Sequence, residues 1–102
     1  LKTKPLEIFD GPNEDVRKQQ RFFEYCSDLC SSKYDVKIIK LADRLNNMRF
    51  MAEVPEHEKI KRYLREAEDF YIGFTLLPPQ LPKFYSEIRD AYDELRSVKI
   101  TV

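Results

Sequence analysis

Apolar side chains recur along the chain with the three- and four-residue spacing of amphipathic helices. Proline, glycine and serine residues interrupt this periodicity at four places. The pattern predicts helices over about residues 14–31, 34–53, 55–76 and 82–97, after a lead-in loop over residues 1–13. We therefore expect an all-α fold in which the helices form a bundle.

Each predicted helix carries one apolar stripe that we expect to face the core. The clearest stripe belongs to the second helix, where Ile38, Leu41, Leu45 and Met48 recur at +3, +7 and +10. The other three stripes are formed by Val16, Phe22, Phe23, Cys26, Leu29 and Cys30, by Ile60, Tyr63, Leu64, Ala67, Phe70, Tyr71 and Phe74, and by Phe84, Tyr85, Ile88, Ala91, Tyr92, Leu95 and Val98.

Local signals place the ends of these helices. Asn13 is suited to cap the first helix, and Pro55 is suited to the first turn of the third. Pro78, Pro79 and Pro82 predict a stiff connection into the fourth helix. The tail over residues 99–102 is β-prone, and we expect it to dock on a surface or to pair with another strand.

The composition is that of a single globular domain. The 102 residues include 18 Lys or Arg and 18 Asp or Glu, so the formal net charge is zero. Proteins that bind nucleic acid or acidic membranes normally show a basic excess. The chain also has no apolar run of the roughly 18 residues that a transmembrane helix needs. We therefore predict neither a nucleic-acid partner nor a membrane segment.

Two cysteines, Cys26 and Cys30, are too few for a disulfide framework, so we expect reduced thiols. The N-terminal stretch lacks the apolar run of a signal peptide, which predicts a cytoplasmic protein. The chain begins with Leu1 rather than Met. We therefore expect it to be part of a longer protein.

One polar strip on the second helix carries candidate chemistry. Lys40, Asp43 and Asn47 cluster within roughly 60° of one another on a helical wheel, away from the apolar stripe. Asp43 and Asn47 are i, i+4 neighbours, so both can address one ligand. From the pattern alone, such a strip is usually just a solvated helix face.

The segment KLADRLNNMR, residues 40–49, resembles the KLADRLHNMR segment of the HD-superfamily hydrolase domain in the RelA/SpoT family. The resemblance extends more weakly over residues 14–75. Asn46 stands where the family usually has His, and Phe50 stands where a Thr is common. The family's domain is helical, so the resemblance implies an HD-domain-like bundle of which this chain is the second half.

The resemblance also implies roles for individual residues. The family holds manganese with an H…HD…D set of ligands and removes the 3′-pyrophosphate from the guanosine nucleotide (p)ppGpp. Asp43 matches the last metal ligand, and Asn47 matches a residue expected to bind the nucleotide near its ribose. Lys40 matches a family lysine that serves either in a structural ion pair or as a charge near the site. Lys18 and Arg21 match, loosely, basic residues that face the pyrophosphate.

In such a site the metal polarises the phosphoryl oxygens and activates a water that attacks phosphorus. The family's His and His-Asp ligands belong upstream of the last Asp, but no His precedes Asp43 in this chain. His57 follows it, and we expect an exposed turn residue. The chain therefore needs the missing N-terminal half of the domain as its partner, and alone it should not be a competent enzyme.

A second interpretation is a catalytically inactive interaction or regulatory module. The Tyr- and Phe-rich faces would then bind a partner. If the missing half does not cover the Asp43 face, apolar side chains there should be exposed and could drive formation of a homodimer.

Overall fold

A computed structural model describes residues 4–77 and 80–98 and confirms the all-α prediction, since every regular element in these ranges is helical. The main helices are α1 (Glu14–Cys30), α2 (Tyr34–Glu53), α3 (His57–Glu66) and α4 (Pro82–Ser97). None of the helices in these ranges is both long and apolar enough to cross a membrane. The predictions for Pro78, Pro79 and the tail lie outside the described residues.

The third helix differs from its prediction at both ends and in its middle. It begins at His57 rather than in the turn of Pro55, because the backbone of Glu56 is extended at φ −123° and ψ 114°. It continues from α3 through a π-helical segment, Ala67–Tyr71, and ends with one α-helical turn, Ile72–Phe74. The wide π turn was not predicted, since the apolar spacing fits an uninterrupted α-helix.

The lead-in is anchored to α1 instead of being wholly extended. Leu6–Ile8 forms a 3₁₀ turn, and Gly11 is buried. The Gly11 N–H donates to Gln20 Oε1 at 2.9 Å, and Arg17 Nε donates to the Gly11 carbonyl at 2.8 Å. The predicted cap is confirmed, because Val16 N–H donates to Asn13 Oδ1 at 3.0 Å.

The chain divides into two compact units, of which the first ends at Lys37 and the second begins at Ile38. In the first unit Cys26 and Leu29 are buried, but Phe23 is 75% exposed and Cys30 is also exposed. The predicted stripe of α1 was therefore too wide. Phe23 lies beside the lead-in at the rim of an open cavity, where solvent reaches most of its ring.

The second unit holds the larger group of buried side chains. α4 packs along α3 and along the π-helical segment. The inward face of α2 was predicted correctly at Leu41, Leu45 and Met48, which are all buried. The other apolar side chains buried in this unit are Met51, Ile60, Tyr63, Ala67, Tyr71, Phe74, Ile88, Ala91, Tyr92 and Leu95.

The two glycines give a test of how tightly the lead-in is packed. A Cβ on Gly11 would lie 2.7 Å from Val16 Cγ1 and 3.0 Å from the Arg17 backbone nitrogen, whereas a Cβ on Gly73 meets nothing within 4 Å. We expect Gly11→Ala to lower the free energy of unfolding by about 1–3 kcal/mol. Gly73→Ala should raise it by about 0.5–1 kcal/mol, because alanine favours the helix. Urea denaturation measures the free energy of unfolding of both variants. Equal changes in the two variants would contradict the tight packing around Gly11.

Candidate functional site: a polar strip on α2 and a buried arginine

α2 carries the three residues of the polar strip on one side. Asp43 and Asn47 are exposed and lie one helical turn apart, and Lys40 is partly buried one turn before them. Leu41 and Leu45, on another side of the same helix, are buried. The strip can therefore present a carboxylate, an amide and an ammonium group to one ligand.

Large apolar side chains flank this strip. Ile39, Phe50 and Val54 are 58%, 54% and 52% exposed. On a helix with about 100° per residue, Ile39 and Phe50 lie within about 40° of Asp43. Val54 directly follows the last residue of α2, and its N–H donates to the Phe50 carbonyl at 2.9 Å. The face around Asp43 is therefore mixed, with one carboxylate set among exposed apolar groups.

The residues present do not make a complete metal site. Within residues 4–77 and 80–98, no group of three or more His, Cys, Asp or Glu side chains is placed to hold a metal ion. His57 is exposed at the first turn of α3, as predicted. A manganese ion needs several oxygen or nitrogen ligands, so Asp43 could supply one of them but could not hold the ion alone.

The two basic residues predicted to face a pyrophosphate lie on α1 in the first unit. Lys18 Nζ is 3.0 Å from Glu14 Oε1, one turn earlier on the exposed surface. This hydrogen bond, together with the charge of Lys18, lowers the pKa of the Glu14 carboxyl. Arg21 lies partly buried on the same helix. Lys18 and Arg21 therefore share α1, whereas Lys40, Asp43 and Asn47 share α2.

The most constrained polar group in the second unit is Arg44, which the sequence analysis did not single out. Arg44 Nη2 lies 2.9 Å from Glu66 Oε1, and the two side chains are only 15% and 10% exposed. Within the described residues, the buried Arg44 Nη1 has no hydrogen-bond partner. The pair joins α2 to the end of α3.

Two tyrosine rings complete the surroundings of this arginine. The Arg44 guanidinium carbon lies 4.6 Å from the ring centroid of Tyr63 and 4.6 Å from that of Tyr71. Arg44 Nη2 also donates a long hydrogen bond of 3.5 Å to the Tyr71 hydroxyl. We call Arg44, Glu66, Tyr63 and Tyr71 the arginine clamp. Such contacts favour the planar guanidinium over an ammonium group.

The π-helical segment brings the two tyrosines of the clamp into line. In a regular α-helix, eight residues of separation would put Tyr71 about 80° from Tyr63 around the axis. The wide turn of Ala67–Tyr71 accommodates one extra residue, which reduces this angle to about 20°. Both rings can therefore contact one guanidinium group.

A sequence signal for the clamp did exist. Arg44 lies three residues after Leu41 and next to Leu45, at the edge of the apolar stripe of α2. Glu66 lies in the same way between Tyr63 and Ala67 on the third helix. Opposite charges at the edges of two buried faces are typical of a buried ion pair, since charges are rarely buried unpaired.

A second polar contact joins the π-helical segment to α4. The Tyr92 hydroxyl donates a hydrogen bond to Glu68, and the Arg96 guanidinium lies 5.7 Å from the Tyr92 ring centroid. The hydrogen bond to Glu68, and then burial, raise the pKa of Tyr92 above its ordinary value of 10.0.

The first unit contains an open cavity of about 610 Å³ between the lead-in and α1. Its apolar lining comes from Ile8, Phe9 and Phe23. Of its polar lining residues, Glu24 is ion-paired with Lys4, and Gln20 accepts the Gly11 N–H. These polar groups serve the local packing of the lead-in, so the cavity offers mainly an apolar surface.

Comparison of the chain with models of protein families, with curated proteins and with solved structures found no match.

Removal of Arg44 should be costly, because it leaves Glu66 buried without its partner. We expect Arg44→Ala to lower the free energy of unfolding by about 3–5 kcal/mol. Lys59 provides a matched control, since its ion pair with Glu56 has the same length, 2.9 Å, but lies on the surface. Lys59→Ala should cost about 0.5 kcal/mol or less. Urea denaturation measures the free energy of unfolding of both variants. Equal losses in Arg44→Ala and Lys59→Ala would contradict a larger contribution from the buried pair.

The contact between Tyr92 and Glu68 predicts a loss of stability at alkaline pH. The folded protein holds the Tyr92 proton more tightly than the unfolded chain does, because its pKa is raised. The resulting stabilisation is complete below pH 10.0 and is lost as the pH rises through the pKa of the folded state. Tyr92→Phe and Glu68→Gln should both flatten the alkaline decline in thermal unfolding temperature. An unchanged decline in both variants would refute the contact.

Proposed function

We propose that this chain is the second half of an HD-type phosphohydrolase domain, which removes the 3′-pyrophosphate from a guanosine alarmone such as (p)ppGpp in the cytoplasm. The observation that supports this proposal is the arrangement of residues 40–49 on α2. The residues matched to metal and nucleotide binding, Asp43 and Asn47, are exposed, while Leu41 and Leu45 of the same segment are buried.

Each residue of the strip would have a limited task. Asp43 would offer a hard carboxylate oxygen to Mn²⁺, and Asn47, one turn later, would hydrogen-bond the nucleotide. Lys40 would add positive charge beside the phosphates. Lys18 and Arg21 stay proposed contacts of the pyrophosphate, although Lys18 would first have to leave Glu14.

The described residues supply one carboxylate and not a complete metal centre. The proposal therefore requires a complementary half-domain that brings the remaining His and His-Asp ligands. The exposed apolar side chains around Asp43 suit a face that another part of a domain covers.

The proposal is tested by hydrolysis of ppGpp in the natural protein that carries this sequence. We expect pyrophosphate release that depends on Mn²⁺ and that falls to background in Asp43→Asn, since the amide is a poorer ligand for a hard cation. Glu53→Gln removes another exposed carboxylate from α2 and should keep wild-type activity. Full activity in Asp43→Asn would contradict the ligand assignment.

Asn47 gives a separate test of nucleotide binding. Loss of one hydrogen bond to a bound nucleotide should raise the Michaelis constant of Asn47→Ala by roughly tenfold, corresponding to about 1.4 kcal/mol. The turnover number should change less, because Asn47 is not proposed to touch the reacting phosphorus. An unchanged Michaelis constant would remove Asn47 from the site.

The exposed side chains of Ile39, Phe50 and Val54 support a second candidate function, an interaction module without catalysis. In that case the purified protein should associate in a concentration-dependent way through α2. Phe50→Asp should abolish the association in sedimentation velocity experiments while leaving helix content unchanged. Monomeric behaviour of the wild-type protein at all concentrations would count against a homodimer.

A further inference from the structure

Asp43 and Arg44 are consecutive residues that point in different directions from α2. Neighbouring side chains of an α-helix are about 100° apart around its axis. Asp43 is exposed, whereas the Arg44 side chain is 15% exposed and is held by Glu66, Tyr63 and Tyr71. Any rotation of α2 that turns Asp43 must therefore pull Arg44 out of the clamp.

The apolar face of α2 constrains the rotation of the helix less strictly than the arginine clamp does. Leu41, Leu45 and Met48 are buried by the hydrophobic effect, which has no direction, and aliphatic side chains can repack with little loss. The clamp is directional by contrast. Its guanidinium carbon lies 4.6 Å from each of two ring centroids, and its ion pair has a length of 2.9 Å. A small rotation or a slide along the axis would break all of these contacts together.

The clamp residues beyond α2 are also held in place. Tyr71 is 2% exposed and lies at the end of the π-helical segment, where the extra residue brings it into line with Tyr63. The second polar contact, between Glu68 and Tyr92, ties this segment to α4. Arg44 therefore ties the orientation of α2 to the π-helical segment, which the contact between Glu68 and Tyr92 joins to α4.

We propose that Arg44 is a positioning residue whose clamp fixes the rotation of α2 and so directs the Asp43–Asn47 strip outward. The use of that strip for a metal and a nucleotide rests on the proposed function, but the orientation of the helix does not. The clamp would then serve conformational specificity more than stability, a role that buried ion pairs have in some proteins.

A double substitution separates these two roles. Arg44→Met with Glu66→Met replaces the buried ion pair by unbranched apolar side chains, and exchanges of buried ion pairs for well-packed apolar groups are often neutral or stabilising. We expect the thermal unfolding midpoint to be equal to that of the wild type or higher. We also expect the backbone amide signals of Asp43, Asn47 and Phe50 in ¹H–¹⁵N NMR spectra to broaden or to split into several sets, because α2 has lost its one preferred rotation.

The matched control removes the exposed pair instead. Lys59→Met with Glu56→Met deletes an ion pair of the same length, 2.9 Å, and should leave one sharp set of α2 signals. A stable Arg44→Met/Glu66→Met protein with one sharp, wild-type-like set of signals would overturn the proposal. Arg44→Lys provides a further test if the double variant does not fold. It keeps the charge but loses the planar fork, so broadened α2 signals are expected, and a single sharp set would overturn the proposal.

These measurements need neither metal nor nucleotide. If Asp43→Asn retains full hydrolysis while the clamp variants lose the order of α2, the positioning role of Arg44 stands and the proposed function fails. If Asp43→Asn is inactive and the clamp variants keep one sharp set of signals, the proposed function stands and the positioning role fails.

Discussion

A buried positive charge is the constraint on which the arrangement of the second unit depends. Removing a guanidinium group from water is expensive, and Arg44 recovers this cost through one ion pair and two aromatic faces. The three partners come from a short stretch, Tyr63–Tyr71. The end of α3 must therefore approach α2 at the level of Arg44, and the packing of both helices has to accommodate that contact.

The clamp also gives a physical reason for the π-helical segment. π turns are rare and occur mostly as single turns within α-helices, so one persists where other interactions offset its cost. Here the extra residue allows Tyr63 and Tyr71 to face the same guanidinium group. The irregular turn and the buried arginine thus stabilise each other.

Helix positions could be read from the sequence because hydrophobic periodicity and end signals are local. α2 and α4 have the predicted bounds, and Asn13 caps α1 as its position indicated. The π turn could not be read in this way, since Tyr63, Ala67, Phe70 and Phe74 also fit an α-helix. The exposure of Phe23 depends on how the lead-in folds over α1, which no spacing within α1 reveals. For the candidate site, the spacing placed Asp43 and Asn47 on one strip, but the partner of Arg44 is 22 residues away in sequence.

The two faces of α2 give different roles to the residues of the segment KLADRLNNMR, residues 40–49. Leu41, Leu45 and Met48 are buried, and Arg44 is held in the clamp, so four of its ten residues serve the scaffold. Asn46 and Phe50, the two positions at which the chain departs from the hydrolase pattern that it resembles, are both exposed. Neither departure therefore falls on a buried position of α2. Under the proposed function, Asn46 and Phe50 would lie on the side that meets the nucleotide, so we expect them to affect substrate preference rather than the fold, and related nucleotide pyrophosphates are the substrates to compare with ppGpp.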